Sequence, residues 1–172
     1  MKAIIFTGGP SSGKTSVLEE LKKRGHKVSP ELARSVIEAR LEKKACDRET
    51  LLRQLLIFKK QIAEEHKHEK LLGNNELVFF DRSLIDSVVY SHILLGFNIE
   101  DFFGLIEPEK YHKVFFFERL EFKKDGIRIE SEEEAQLIHD ALYNSYKKLG
   151  CEVIMVPVIP IEKRADFILE RI

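Results

Sequence analysis

Five short apolar runs alternate with helical stretches along this 172-residue chain, and that pattern predicts an α/β fold. Two further observations sharpen it. The first run ends in Gly8-Gly9-Pro10-Ser11-Ser12-Gly13-Lys14-Thr15, which fits Gly-x4-Gly-Lys-Ser/Thr, the phosphate-cradling P-loop. The third run closes on an acid, Asp81, where a strand should end. Together these predict a three-layer P-loop NTPase whose five-stranded parallel sheet is covered by helices on both faces. With strands numbered along the chain, the expected order is 2-3-1-4-5, so that Leu77–Asp81 flanks the P-loop strand.

The first strand, Lys2–Thr7, is apolar through Ala3-Ile4-Ile5-Phe6, as a strand buried on both faces requires. After the loop, Val17, Leu18 and Leu21 recur at helical spacing, so a helix begins inside the motif and stops at Arg24-Gly25. Residues 27–29 form a short second strand. Ser29 as N-cap and Pro30 at the first helical position open a second helix carrying Leu32, Val36, Ile37 and Leu41. A long helix over 47–72 puts Leu51, Leu52, Leu55, Leu56, Ile62 and Ala63 on its apolar face, and Gly73-Asn74-Asn75 ends it.

Leu77–Asp81 is the third strand. The helix over 83–95 stops at Gly96, and a short amphipathic segment occupies 99–106. Residues 114–117 are the fourth strand. Ser131-Glu132-Glu133-Glu134 is a capping box, opening a helix on which Ile138, Ala141, Leu142, Ser145 and Leu149 share a face. The fifth strand covers 151–156, and a helix within 160–172 places Ala165, Ile168, Leu169 and Ile172 on one side. With no internal repeat, low-complexity tract or linker, 1–172 reads as a single domain.

Composition narrows the class. Hydrophobic residues are 44% and charged residues 33%, ordinary proportions for a soluble globular protein. A net charge of −1 without a dense Lys/Arg block gives no case for nucleic acid or an anionic membrane surface. No apolar run approaches the ~20 residues needed to span a bilayer, and no signal peptide precedes the first strand. Cys46 and Cys151 make no Cys-x-x-Cys spacing, so a reduced pair in the cytoplasm is expected.

The chemistry-bearing residues fall at the carboxyl ends of the strands, where such sheets bind ligands. Gly8 and Gly13 permit left-handed or tightly curved backbone and let phosphate approach without a Cβ in the way. Lys14 supplies a cation for the terminal phosphates of ATP, and the Thr15 hydroxyl suits Mg²⁺. The nucleotide-binding set is Gly8, Gly9, Pro10, Ser11, Ser12, Gly13, Lys14, Thr15 and Ser16. The bland alternative is a glycine-rich strand-to-helix turn with Lys14 a solvated charge.

Asp81 has the place of a Walker B aspartate and is the second expected Mg²⁺ residue. Arg82 follows it, where many ATPases carry a water-activating glutamate; a cation there suits charge stabilisation in phosphoryl transfer. Ser83-x-x-Asp86 reads equally as a helix capping box and as a substrate contact. Glu31, at the start of the second helix, is placed to accept a proton from a substrate hydroxyl, and whether Glu31 or Asp81 is the general base stays open. Arg34 follows one turn later. The charged run over 119–130 reads as a solvated loop or as a lid, with Arg128, after the Asp125-Gly126 turn, the cation that meets the phosphates. His66 and His68 face different ways as surface residues, and His92 and His139 receive no role.

With these residues placed, the chain resembles the small P-loop family of AAA-like ATPase domains that includes the ribosylnicotinamide kinase domain of the bifunctional NAD-biosynthesis regulator. The resemblance rests on Thr7 through Thr15, Pro30-Glu31-Leu32-Ala33-Arg34, Phe80-Asp81-Arg82-Ser83-Leu84-Ile85-Asp86, Asp125-Gly126-Ile127-Arg128, and Pro160-Ile161-Glu162-Lys163-Arg164-Ala165-Asp166-Phe167-Ile168. Asp81-Arg82-Ser83 is also similar to the Asp/Glu-Arg motif of nucleoside and nucleotide kinases. The resemblance implies a nucleotide-kinase-like core, MgATP as phosphate donor and a small nucleoside- or riboside-like acceptor. The competing expectation is an ATPase or nucleotide-dependent switch acting on a partner protein, and a homo-oligomer stays open. Asn-Lys-x-Asp, the guanine-reading motif of GTPases, does not occur.

Overall fold

The computed structural model of the protein describes residues 2–29, 47–71, 76–104, 106–120 and 131–172. Strand β1 (Lys2–Thr7) lies inside the sheet, and Ala3 through Thr7 are all buried. Strands β2 (Leu77–Asp81) and β3 (Tyr111–Phe117) pair with it in parallel, one on each side. Strand β4 (Val153–Val156) pairs in parallel with β3. The sheet order is β2-β1-β3-β4.

Among the described residues four strands therefore stand in place of the expected five, and the order 2-3-1-4-5 is corrected accordingly. Segment 27–29 does not extend into a strand. Val28 makes one isolated parallel bridge to Phe79, closed by the Ser29 N–H on the Phe79 carbonyl (2.8 Å) and the Phe79 N–H on the Lys27 carbonyl (2.9 Å). Pro30 follows at once and has no N–H with which to continue a ladder. Strand β3, in contrast, starts earlier than its apolar run, because Tyr111 and Lys113 pair with Ala3 and Ile4 despite the polar interruption.

Helices α1 (Lys14–Lys23) and α6 (Ile161–Leu169) cover one face, over Ile4, Phe6, Phe79, Phe115 and Phe117. Phe6 sits at the centre of this layer, edge-on to Phe79 and Phe115 with centroids 5.6 and 6.0 Å away. Helices α2 (Asp47–Leu71), α3 (Leu84–Leu95) and α5 (Glu132–Lys148) pack on the other face, against Ile5, Phe80, Val114 and Phe116. The expected amphipathic segment 99–106 shortens to helix α4 (Glu100–Phe103). Among the described residues no helix is long and apolar enough to cross a membrane.

The capping signals work as their spacing demands. Ser83 and Asp86 form a complete capping box on α3, and Ser131 and Glu134 form one on α5. Gly96 closes α3 at φ 70°, the left-handed conformation that a glycine adopts without a Cβ penalty. Because all four strands are parallel, their carboxyl ends share one rim, where Thr7, Asp81, Phe117 and Val156 end their strands.

Candidate nucleotide-binding site

The loop between β1 and α1 turns through three left-handed residues: Gly8 at φ 126°, Ser11 at 63° and Gly13 at 81°. Alternation of this kind gathers backbone N–H groups into an anion-binding concavity. A Cβ on Gly8 would lie 2.6 Å from the Phe117 carbonyl oxygen, so the end of β3 admits only glycine there. Gly13 is the N-cap of α1, and the positive end of that helix starts at Lys14.

Lys14 is buried, and its ammonium lies over the loop it belongs to. Nζ donates to the carbonyls of Gly8 (2.8 Å) and Gly9 (3.0 Å) and to Ser12 Oγ (2.8 Å). Ser12 Oγ donates to the Gly9 carbonyl (3.0 Å). The loop is thus shaped around its own cation. One residue on, in the first turn of α1, Thr15 Oγ1 lies 3.4 Å from Oδ2 of Asp81, at the end of β2 beside β1.

Two hard oxygen donors at a strand end beside a phosphate loop suit Mg²⁺, which takes one or two carboxylates and completes its shell with phosphate oxygens and water. Among the described residues no group of three or more His, Cys, Asp or Glu could hold a metal ion by themselves. The donor set therefore fits a metal that arrives with the phosphates.

Arg82 adopts φ 73°, a left-handed conformation that a residue with a Cβ enters only at a cost. Its N–H donates to the Phe6 carbonyl (2.9 Å), and its guanidinium lies over the Tyr90 ring, 4.7 Å from the centroid. Burial works against the guanidinium charge, but Tyr90, Asp86 and Asp81 overcome it and raise the pKa. Arg82 is a permanent cation beside the acid of β2.

Asp86 is engaged as structure. Its carboxylate accepts Thr7 Oγ1 (2.7 Å), the Ser83 N–H (3.0 Å) and Tyr146 Oη (2.5 Å). Ser83 Oγ lies 2.7 Å from the same phenol. One buried carboxylate thereby ties the end of β1, the start of α3 and the side of α5. Burial drives the Tyr146 pKa well up, so the phenol keeps its proton and remains a donor.

The structure brings two residues to the loop that sequence reasoning did not assign there. Arg164, from α6, donates from Nη1 to the Ser12 carbonyl (2.9 Å), and burial lowers its pKa against the opposing pull of Glu118. Its signal was legible: Arg164, Ala165 and Ile168 share the buried face of α6, an arginine where the helical period demands an apolar residue. His139, given no role from spacing, lies with Nδ1 3.1 Å from the Gly9 nitrogen. His68 also departs from its expected surface position, packing edge-on to Phe80 at 5.3 Å.

Leu120 N–H donates to the Ser11 carbonyl (3.2 Å), so the chain leaving β3 touches the loop. Glu31, Arg34 and Arg128, and most of the expected lid over 119–130, lie outside the described residues.

A strand–loop–helix phosphate cradle at the carboxyl rim of a parallel sheet, with an acid on the adjacent strand, defines a P-loop nucleotide-binding domain. The chain belongs to the AAA domain family, whose model matches residues 3–164. The resemblance drawn from its motifs is borne out. The chain is similar in structure to deoxyadenosine kinase from M. mycoides with dCMP and dCDP bound, at TM-score 0.73 and 14% identity, covering 98% of this chain and 97% of that one. It is also similar to NadR in complex with NR, at TM-score 0.70 and 20% identity, covering 98% of this chain but 50% of NadR. Thymidylate kinase from Ehrlichia chaffeensis superposes at TM-score 0.61 and 19% identity, covering 98% and 96%. A comparison with curated proteins finds no match. The fold is that of the nucleoside- and nucleotide-kinase-like P-loop NTPases.

Proposed function

We propose that this domain transfers the γ-phosphate of ATP, with Mg²⁺, to a small nucleoside- or riboside-like acceptor. The observation that carries the reading is Arg82 standing next to Asp81 at the end of β2, one strand from the P-loop, in a strained backbone conformation. A half-buried cation in that place stabilises charge on a transferred phosphoryl group and has no capacity to activate water. Lys14 and the loop amides hold the phosphates, while Thr15 and Asp81 hold the metal. Glu31 as proton acceptor and Arg128 as a closing cation complete the assignment. The bound adenine nucleotides of two neighbours support the donor: AMP-PNP in NadR and dATP in the deoxyadenosine kinase. Their names support the acceptor class.

The test is ADP release from MgATP, measured by a coupled assay across a panel of nucleosides, ribosides and nucleoside monophosphates. Release that depends on one class of acceptor, over a slow background, is the expected result. Brisk hydrolysis with no acceptor would replace the kinase reading with an ATPase acting on a partner protein.

A further inference from the structure

We infer that His139 is a positioning residue of the P-loop, which its neutral ring holds by accepting the Gly9 amide hydrogen and which its protonation releases. The inference rests on the P-loop reading above and deepens it, because it assigns the loop a proton-sensitive anchor on α5.

An amide N–H can only donate, so His139 Nδ1, 3.1 Å from the Gly9 nitrogen, must carry a lone pair. The ring is then neutral, with its proton on Nε2. Its orientation is set by Phe116, whose ring meets it edge-on at 4.7 Å. Helix α5 packs directly on the loop at this point: a Cβ on Gly9 would lie 3.0 Å from His139 Cβ and 3.2 Å from the Ala135 carbonyl oxygen. Gly9 is also gripped through its carbonyl, which accepts Lys14 Nζ (3.0 Å) and Ser12 Oγ (3.0 Å). A shift of Gly9 therefore moves an acceptor of the lysine that meets the phosphates.

Protonation would turn Nδ1 from an acceptor into a second donor facing the Gly9 N–H, breaking the bond. It would also set a cation against the charges that surround the ring. Lys14 faces it from the loop, Arg119 and Glu118 from the end of β3, and Asp140 from α5 itself. Burial is the main influence and lowers the His139 pKa below 6.5, with Arg119 and Lys14 acting the same way and Asp140 and Glu118 opposing. The neutral, loop-holding form therefore prevails near neutrality, and the anchor is lost as pH falls through the lowered value.

The experiment titrates the affinity for Mg·AMP-PNP by calorimetry from about pH 8 to about pH 5.5, bracketing the histidine range. It compares the parent with His139→Asn, whose Oδ1 replaces the Nδ1 acceptor without titrating, and His139→Phe, which keeps the ring and loses the acceptor. The expected result at the alkaline end is a loss of about 10-fold in His139→Phe and rescue to within about 3-fold in His139→Asn, the scale of one hydrogen bond. On acidification the parent should weaken relative to His139→Asn, a ratio in which the nucleotide's own protonation cancels. Parent-like binding by His139→Phe, or a parent-to-Asn ratio that is flat with pH, overturns the inference. A ligand-free measurement separates it from the functional reading. ¹⁵N NMR of the His139 ring in the free protein should show the proton on Nε2, and a proton on Nδ1 at neutral pH overturns the inference whatever binds. Failure of the parent to bind Mg·AMP-PNP, with the ring in the expected tautomer, sinks the P-loop function and leaves the anchor standing.

Discussion

Arg164 Nη1 lies 2.9 Å from the carbonyl oxygen of Ser12, and this bond fastens the last described helix to the middle of the phosphate loop. The guanidinium is buried, with the residue 3% exposed, and Nε has no hydrogen-bond partner among the described residues. A cation kept in such a place at the cost of desolvation has a positional task rather than a stabilising one.

Replacing it should separate those two effects. Arg164→Met keeps the bulk and removes a poorly satisfied buried charge, so stability in urea should change by less than about 1 kcal/mol. Nucleotide affinity should fall about 10-fold, because the Ser12 carbonyl is no longer held. Calorimetry beside a denaturation curve checks both, and a stability loss that accounts for the whole affinity loss would reduce Arg164 to a packing residue.

Lys14→Ala should weaken MgATP by about 1.5–3 kcal/mol, the scale of a lost charge-assisted contact, and leave adenosine nearly unaffected. The same variant should lose stability without ligand, since three oxygens of the loop accept hydrogen bonds from this ammonium. Unchanged MgATP affinity in the folded variant would defeat the P-loop assignment.

At Arg82 the backbone and the side chain make opposite demands. Arg82→Gly relieves the left-handed strain at φ 73° and Arg82→Ala does not, so the glycine variant should be the more stable by about 1 kcal/mol. Both should lose about 10²–10³ in transfer rate if the guanidinium meets the developing charge. Equal stability of the two variants would mean the conformation is not strained, and parent-like turnover would remove Arg82 from the chemistry.

Tyr146→Phe deletes the phenol that donates to Asp86 and lies beside Ser83 Oγ in a fully buried site. Equilibrium denaturation should show a loss of about 1.5–3 kcal/mol, since the acceptor is a carboxylate left one donor short. A change within about 0.5 kcal/mol, the range of ordinary surface substitutions, would contradict the network.

The core of this fold could be read from the sequence because its strands are apolar throughout and its helices carry explicit stops. Ser83, Ser131 and Gly96 acted where the residue chemistry said they would. The sheet edge could not be read in the same way. Lys27-Val28-Ser29 has strand-like residues, but pairing depends on whether the next residue can extend the ladder, and Pro30 cannot. Within the site, the residues of the P-loop and Asp81 were legible because phosphate chemistry fixes their spacing. Arg164 showed only as an arginine on the apolar face of its helix, and neither it nor His139 could be assigned to the loop, because both act on it from helices far along the chain. A lone histidine on a half-buried helix face carries no spacing that points to a backbone amide on another element.

Strand β1 lies ahead in the chain of both strands that flank it, and the phosphate loop lies ahead of the residues that hold it from other elements. Leu120, His139 and Arg164 all belong to the later half of the sequence. During synthesis the motif therefore emerges long before the parts that shape it, and a nascent chain carries the sequence of the site without the site. Such non-local closure slows folding and leaves apolar strands waiting for partners. A fragment that stops short of Arg164 keeps the P-loop residues and lacks the bond that holds the Ser12 carbonyl, so an interruption late in translation reaches the site as well.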